Sequence, residues 1–226
     1  MIAFGCAVTE PAFFDRHARQ GLRRVAEADS RVFVQAAPGS SCRILNLLLE
    51  QASACAGLES LVLVNERAEI TDEDFCSKLR GLLRDPQVAV VGCAGASDVR
   101  SIAWWEGSII RASSIYRHGE MPIIEVPPLV SDGWKTDHVI EPPGEVDTLD
   151  GVLLCLSPWA VQNLRFDESL GPRYGYDFDF CLQAREAGRK IVSADLEVAH
   201  YYPLGVVEDA DTWTEAHMRA AEKWDG

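Results

Sequence analysis

The late part of the sequence carries acidic side chains suited to proton transfer. Asp177 and Asp179 stand two residues apart at the predicted start of a helix, and His200 follows the next predicted strand. The helix dipole keeps a carboxylate near a helix start ionised, so Asp177 could take a proton from a substrate hydroxyl. Its alternative role is a helix cap. Asp179 cannot share a helical face with Asp177, and we assign it to structure or to substrate contact.

A second group of polar residues, Asn65-Glu66-Arg67, directly follows a predicted buried strand. A guanidinium holds a diphosphate through two parallel hydrogen bonds, so Arg67 could neutralise phosphate without a metal ion. Alternatively, Glu66 and His200 could hold Mg²⁺ or Mn²⁺, because such ions need few protein ligands when a nucleotide supplies the rest. A lone histidine after a strand is also commonly a hydrogen-bonded core residue. Only the spacing of His200 from Asp177 favours its role as a ligand.

The elements that must position these residues alternate regularly in the first ninety-five residues. Short apolar runs predict buried strands, and apolar residues at helical spacing predict the helices between them. The strands are predicted at 2–8, 31–34, 61–64 and 88–93, and the helices at 12–28, after Ser40-Ser41, and after a capping box formed by Thr71 and Asp74. This alternation favours an α/β fold with a mostly parallel sheet and helices on both faces.

Ligands of such sheets bind beyond the carboxyl ends of the strands. The first strand ends at Thr9 and Glu10, and the third at Asn65-Glu66-Arg67. We therefore expect these residues to lie around one binding site, although a plain turn before a proline explains Thr9 and Glu10 almost as well.

The rest of the chain is less regular. Between 94 and 145 the helical and strand periodicity is lost, with one hairpin predicted around 109–115. Trp104 and Trp105 could stack on a sugar ring, and the alternative is burial, with one of the two turned inward. Beyond this segment we predict a helix at 177–187 closed by Gly188, a strand at 191–198 and a surface helix at 209–224.

Composition limits the classes of function. The 226 residues, 47% of them hydrophobic, fit a single domain, which we divide into halves at 1–95 and 96–208 and a C-terminal helix at 209–226. A formal charge of −14 disfavours a nucleic-acid partner.

The cysteines and apolar segments indicate the compartment. Seven cysteines without a C-x-x-C pair indicate reduced thiols. Without a signal sequence or the ~20-residue apolar run of a transmembrane segment, we expect a cytoplasmic protein, with attachment to the membrane surface through a lipid substrate left open.

The segment from Tyr174 to Val192, continued by Asp195-Leu-Glu-Val-Ala-His200, resembles the late motif of inverting GT-A glycosyltransferases. In that motif an acidic pair opens a helix, glycine ends it, and a histidine follows the next strand. The segments 91–95 and 149–154 and the Trp-Trp pair also look like small glycosyltransferase-like members of family 2. The resemblance covers about residues 2 to 205.

The resemblance implies a GT-A fold and transfer of a sugar from a nucleotide sugar, of the UDP or dTDP type, to a hydroxyl acceptor. Asp177 would be the catalytic base, and donor contacts would come from Thr9 and Glu10 and from the region after the third strand. On the acceptor side the implied residues are Trp104, Trp105, Asp150 and Asp179.

The sequence departs from the family pattern at two places. Asn65 and Arg67 align with the two aspartates of the D-x-D region, so the usual metal carboxylate is absent, and we favour Arg67 over a metal ion. After the second strand the family's acidic residues for the base and ribose are replaced by 35–40, where Gln35, serines or backbone amides would have to serve.

Two other functions remain open at this point. The altered D-x-D region is compatible with a catalytically silent GT-A-like domain that binds a nucleotide or a protein. A sugar nucleotidyltransferase shares the sheet architecture, but the sequence lacks the glycine-rich, basic loop that should follow the first strand to hold a triphosphate.

Overall fold

The structure, a computed structural model, describes residues 1–36, 40–112, 115–118, 121–125, 139–201 and 209–224. The strands are β1 (Ile2–Val8), β2 (Arg31–Ala36), β3 (Ser60–Val64), β4 (Ala68–Ile70), β5 (Val88–Gly92), β6 (Ala94–Ser97), β7 (Ile109–Ala112), β8 (Ile115–His118), β9 (Met121–Glu125), β10 (Val139–Glu141), β11 (Glu145–Val146), β12 (Thr148–Leu149), β13 (Leu153–Leu156), β14 (Lys190–Ser193) and β15 (Val198–His200). The helices are α1 (Pro11–Arg16), α2 (Ala18–Val25), α3 (Ser41–Ser53), α4 (Phe75–Leu82), α5 (Pro158–Asn163), α6 (Tyr176–Glu186) and α7 (Ala210–Trp224).

The central sheet has seven strands in the order β11-β14-β5-β13-β3-β1-β2. β1 pairs in parallel with β2 and β3, and β14 pairs in parallel with β5. β13 runs antiparallel between β3 and β5, so these two strands point the same way. The predicted mostly parallel sheet is confirmed, and the carboxyl ends of β1 and β3 lie side by side at one edge.

Apolar cores cover both faces of this sheet, as the alternation of elements predicted. On one face Phe4 of β1 packs with residues of α1, α2 and α4, including Leu22 and Phe75. On the other face Leu61 of β3 packs with α3, α5 and α6, where Phe180 is fully buried. Helices on opposite faces can therefore reach the strand ends from two sides.

Two four-stranded sheets complete the fold, and sequence patterns did not anticipate them. One has the order β10-β7-β6-β12 and the other β4-β15-β8-β9. β15 pairs antiparallel with β4 so that His200 lies opposite Ala68. The predicted strand at 191–198 is thus wrong in its extent, because the chain turns after Ser193 and joins a different sheet as β15.

Three local predictions also need correction. The helix predicted at 12–28 is interrupted at His17, and the break accompanies a close approach of α2 to β4, where Gly21 contacts the Ile70 backbone. No capping box forms before α4, because the Asp72 carboxylate accepts the Asp74 N–H at 3.0 Å instead. The hairpin predicted at 109–115 is wrong, since β7 and β8 lie in different sheets, and residues 113 and 114 lie outside the described residues.

The cysteines and the helices bear on two composition arguments. All seven cysteines are free thiols, and all except Cys55 are buried. Among the described helices, none combines the length and apolar character needed to cross a membrane. The division into halves at 1–95 and 96–208 stays a prediction.

Helix α7 is attached to α6 through a carboxylate in the core. Asp179 is fully buried, and its Oδ1 accepts a hydrogen bond from the Trp224 indole at 2.9 Å and pairs with the Lys223 ammonium at 2.7 Å. Its Oδ2 accepts from the Gln183 side chain at 2.7 Å. A buried carboxylate needs such partners because water is excluded from it. Asp179 therefore fixes the C-terminal helix against the helix that carries Asp177.

We predict that Lys223→Met lowers the free energy of unfolding by about 3 kcal/mol, because it leaves the buried Asp179 charge without its cation. Chemical denaturation measures this change. Lys190→Met, which breaks a surface pair with Asp85 at 3.1 Å, serves as the control and costs no more than about 1 kcal/mol. Equal losses in the two variants would contradict the anchoring role of Asp179.

Candidate functional site

A cavity of about 470 Å³ opens at the carboxyl ends of β1 and β3. This volume is within the range of small-molecule sites. Its lining contains six of the predicted site residues: Thr9, Glu10, Asn65, Glu66, Arg67 and His200. The remainder comes from β1, α3, β3, the turn before β13, β13 itself, the segment before α6 and the first residue of α6: Ala7, Ser41, Ile44, Leu45, Leu63, Val64, Gly151, Leu154, Arg173, Tyr174 and Tyr176. The expected convergence of the two strand ends is thus present.

Glu66 joins the two strand ends. It is 8% exposed, and its Oε2 accepts the backbone N–H groups of Thr9 at 2.8 Å and Glu10 at 2.9 Å. Its Oε1 accepts the Thr9 hydroxyl at 2.6 Å. Hydrogen bonds to an ionised acceptor are among the strongest in proteins. The carboxylate therefore fixes the turn after β1 against the turn after β3.

Asn65 shapes the turn that presents Arg67. The Asn65 side-chain oxygen accepts the Arg67 N–H at 2.9 Å, which is the Asx-turn pattern that asparagine favours. The Asn65 N–H donates to the Val152 carbonyl at 3.0 Å and thereby holds the turn against the chain before β13. The same turn fixes the backbone position of the adjacent Glu66.

The Arg67 guanidinium is held over an aromatic ring. Its Cζ lies 4.1 Å from the centroid of Phe13 in α1, and its Nη2 lies 3.8 Å from the Glu10 carboxylate. The Arg67 carbonyl accepts the Tyr201 N–H at 2.9 Å. A cation over a ring gains about 0.5–2 kcal/mol. These contacts orient the guanidinium at the cavity before any ligand arrives.

His200 reaches the cavity through the pairing of β15 with β4. Burial, with smaller effects from the positive charge of Arg67 and from His17, lowers the pKa of His200 to about 3. The imidazole is therefore neutral at neutral pH and adds no positive charge. Behind it, His17 is buried and stacks on Tyr201 with ring centroids 3.9 Å apart.

Asp177 lies in the first turn of α6 and is not among the residues that line the cavity. Its Oδ2 accepts the N–H of Gly151, a lining residue, at 2.8 Å, and its Oδ1 accepts the Phe178 N–H at 2.9 Å. Burial, and then the negative charge of Asp150, raises the pKa of Asp177 to about 7, although the two N–H donors oppose this. The N-cap position belongs to Gly175, so Asp177 is not the helix cap.

The other predicted site residues lie outside the lining of this cavity. Trp104 is 3% exposed in a small apolar cluster, whereas Trp105 is half-buried and meets it edge-on. The Asp150 carboxylate accepts the Val152 N–H at 2.8 Å. Gln35 is half-buried near the end of edge strand β2, and residues 37–39 of the following turn lie outside the described residues. The contacts of Asp179 favour its structural role.

The sequence reasoning missed several lining residues. Arg173, Tyr174 and Tyr176 immediately precede the acidic pair, and Ser41 begins α3. The sequence pointed to these residues in part. Tyr174 and Tyr176 lie within the GT-A-like motif that begins at Tyr174, and Arg173 directly precedes it, in a segment interrupted by glycines. Only the packing of that segment against α3 shows that it faces the end of β3.

Within the described residues, oxygens that could bind a divalent ion at this edge of the sheet already accept hydrogen bonds from the protein. Both oxygens of Glu66 accept hydrogen bonds from the turn after β1, and the Asn65 oxygen accepts the Arg67 N–H. Across the described part of the chain, no three His, Cys, Asp or Glu side chains are grouped as metal ligands.

Comparisons with known proteins bear on the fold. No protein-family model matches the sequence. The chain is 26% identical over 203 residues to the streptomycin biosynthesis protein StrF of Streptomyces griseus, and the match covers 89% of this chain and 66% of StrF. The chain thus spans just under two thirds of that relative.

The structure is also similar to solved structures. GalNAc-T7 with UDP, GalNAc and Mn²⁺ superimposes with a TM-score of 0.67 at 10% identity, over 99% of this chain and 48% of that one. The mannosyltransferase PcManGT of Pyrobaculum calidifontis with GDP-Man and Mn²⁺ gives 0.54 at 10% identity, over 90% and 57%. A197 from STIV gives 0.53 at 11% identity, over 89% and 86%. The predicted GT-A fold is confirmed. Membership of family 2 stays a prediction.

We predict that Glu66→Gln lowers the free energy of unfolding by about 1–3 kcal/mol, because an amide nitrogen cannot accept the hydrogen bonds that one carboxylate oxygen accepts. Denaturant titration measures the loss. Glu10→Gln is the matched control. The Glu10 side chain is 60% exposed, so loss of its charge should change the free energy of unfolding little. A neutral Glu66→Gln variant would show that the link between the strand ends contributes nothing.

Proposed function

We propose that this chain is an inverting glycosyltransferase that moves a sugar from a nucleotide-diphosphate sugar to a hydroxyl acceptor. One observation carries the proposal: Thr9, Glu66 and Arg67 meet in a cavity at the carboxyl ends of β1 and β3. In parallel α/β sheets this edge is where ligands bind. The fold is shared with GalNAc-T7 and PcManGT, whose structures hold nucleotide sugars or their parts.

Arg67 would bind the diphosphate. When the bond between the anomeric carbon and the phosphate oxygen breaks, its electron pair passes to that oxygen, and the added charge must be stabilised. A guanidinium held over Phe13 needs little reorganisation for this task. The donor remains of the UDP or dTDP type in our proposal, with Gln35 near the base.

Asp177 would act as the base. As the acceptor oxygen forms its bond to the anomeric carbon, the hydroxyl proton would pass to the Asp177 carboxylate. A base works best when its pKa is near the operating pH, and burial raises that of Asp177 to about 7. Gly151 links this carboxylate to the cavity wall. Trp105 and Asp150 are kept as acceptor contacts.

The diphosphate would be neutralised without Mg²⁺ or Mn²⁺. The carboxylate that remains in the altered D-x-D region, Glu66, is already engaged by Thr9 and Glu10. Coordination of an ion would compete with these hydrogen bonds.

We further propose that the enzyme is cytoplasmic, does not bind nucleic acid and can act at a membrane surface.

A second candidate is a GT-A-like domain that binds a nucleotide without turning it over. The engagement of Glu66 in a structural role favours this alternative, because the D-x-D region then keeps no free carboxylate. The two candidates differ in one respect. The enzyme requires Asp177 as a base, whereas the binding domain does not.

We predict that Asp177→Asn lowers sugar transfer by about 10²–10⁴-fold, the usual contribution of a base, with nucleotide binding retained.

For the wild-type protein, kcat/KM should fall about tenfold per pH unit below pH 7, because the raised pKa keeps Asp177 protonated there. Asp150→Asn should move this inflection to lower pH, since it removes the negative charge that raises the pKa. A panel of UDP-, dTDP- and GDP-sugars provides the assay.

Asp29→Asn, in an exposed turn, controls for the loss of one negative charge. A pH profile that does not change between pH 5 and 8 would contradict the role of Asp177. Absence of transfer with every donor, together with retained nucleotide binding, would leave the binding domain.

We predict that turnover persists after chelation with EDTA and that Arg67→Met weakens nucleoside diphosphate binding by about 10–100-fold. Arg67→Lys should restore binding only in part, because an ammonium cannot bind bidentately. Arg19→Met is the matched control, since Arg19 also lies over a ring, Phe14, at 5.0 Å, but outside the cavity. Activity lost on chelation and restored by Mn²⁺ would refute metal-free transfer.

A further inference from the structure

The charges on the cavity lining are balanced before a ligand binds. Glu10 and Glu66 contribute two negative charges, and Arg67 and Arg173 contribute two positive charges. His200 is neutral at neutral pH because burial lowers its pKa to about 3. The described lining residues therefore carry no net positive charge, so an anion would have to engage the arginines directly.

The proposed donor demands more than one cation. A diphosphate diester carries about two negative charges at neutral pH, and the departing nucleoside diphosphate carries up to about three. Arg67 supplies one positive charge, which it shares with the Glu10 carboxylate 3.8 Å away. Besides Arg67, Arg173 is the other arginine or lysine in the described lining, and it can supply a second positive charge.

Arg173 is placed by a loop that is anchored on both sides. The carbonyl of Pro172 accepts the N–H of Ser41, the first residue of α3, at 2.7 Å. The Tyr174 hydroxyl accepts the N–H of Asp209, just before α7, at 3.4 Å. Arg173 stands between these anchors, and its side chain is exposed and lines the cavity.

The two arginines approach from opposite faces of the sheet. Arg67 rests on Phe13 of α1, which belongs to one helical layer, and the Arg173 loop rests on α3, which belongs to the other. Gly171 and Gly175 bound the loop with φ angles of 128° and 78°, which residues with side chains rarely adopt. These turns bring the loop back over the end of β3.

We propose that Arg173 is a second donor-binding residue, which contacts the diphosphate of the nucleotide sugar together with Arg67. This inference rests on the proposed function. The two guanidiniums then hold the phosphate oxygens from both sides. When the sugar leaves, the electron pair that passes to the phosphate oxygen is stabilised by fixed positive charges.

The same arginine chemistry would suit a phosphate or carboxylate on the acceptor. Binding of a nucleoside diphosphate without acceptor separates these sources. Wild-type protein is titrated calorimetrically with UDP, dTDP and GDP, and the tightest of the three is then compared with its own nucleoside, which lacks phosphate. Arg173→Met should weaken diphosphate binding about tenfold or more and leave nucleoside binding unchanged. Arg173→Lys should recover part of the loss.

Arg43→Met is the matched control, because Arg43 is exposed on the first turn of α3 but lies outside the cavity lining. An equal loss of nucleoside and diphosphate binding in Arg173→Met would assign Arg173 to loop structure and overturn the inference. Unchanged diphosphate binding with a raised acceptor KM would assign it to the acceptor and overturn the inference as well. If Arg67→Met weakens diphosphate binding in either case, the donor-binding part of the proposed function stands. If wild-type protein binds none of the three, both proposals fail.

Discussion

The site depends on one buried carboxylate, Glu66, which holds two strand ends together. Backbone N–H groups just beyond the end of a strand have no partner in the sheet and need other acceptors. Glu66 satisfies those of Thr9 and Glu10 and the Thr9 hydroxyl as well. The turn after β1 and the turn after β3 are thereby fixed to each other, and the cavity between them has a defined shape.

This use of Glu66 changes the electrostatics of the site. In our proposal, a carboxylate that accepts three hydrogen bonds from the protein does not bind an ion, and guanidinium groups neutralise the charge of the diphosphate. Arg67 is preoriented on Phe13, and Arg173 lines the same cavity. The acidic side chain with a pKa near 7, Asp177, lies apart from these cations, behind Gly151. In the proposed enzyme, anion binding and proton transfer would thus be carried out by separate groups of residues.

The sequence predicted what depends on local pattern. Apolar runs located β1, β2, β3 and β5 but not the short strand β4, and the shared direction of β1 and β3 then brought Thr9 and Arg67 to one edge. Contacts between distant short segments were not predictable in this way. The pairing of β15 with β4, which brings His200 to the cavity, joins strands of three residues with no distinctive pattern. The burial of Asp179 against α7 and the placement of Arg173 likewise depend on tertiary packing.

A crystal structure with a bound nucleoside diphosphate, grown with MnCl₂ and measured at the manganese absorption edge, tests metal-free binding of the diphosphate most directly. We predict that Glu66 still accepts the N–H groups of Thr9 and Glu10, and that phosphate oxygens lie within hydrogen-bonding distance of the Arg67 guanidinium without manganese between them. An anomalous peak bridging Glu66 and the phosphates, with the bonds to the turn broken, would contradict it.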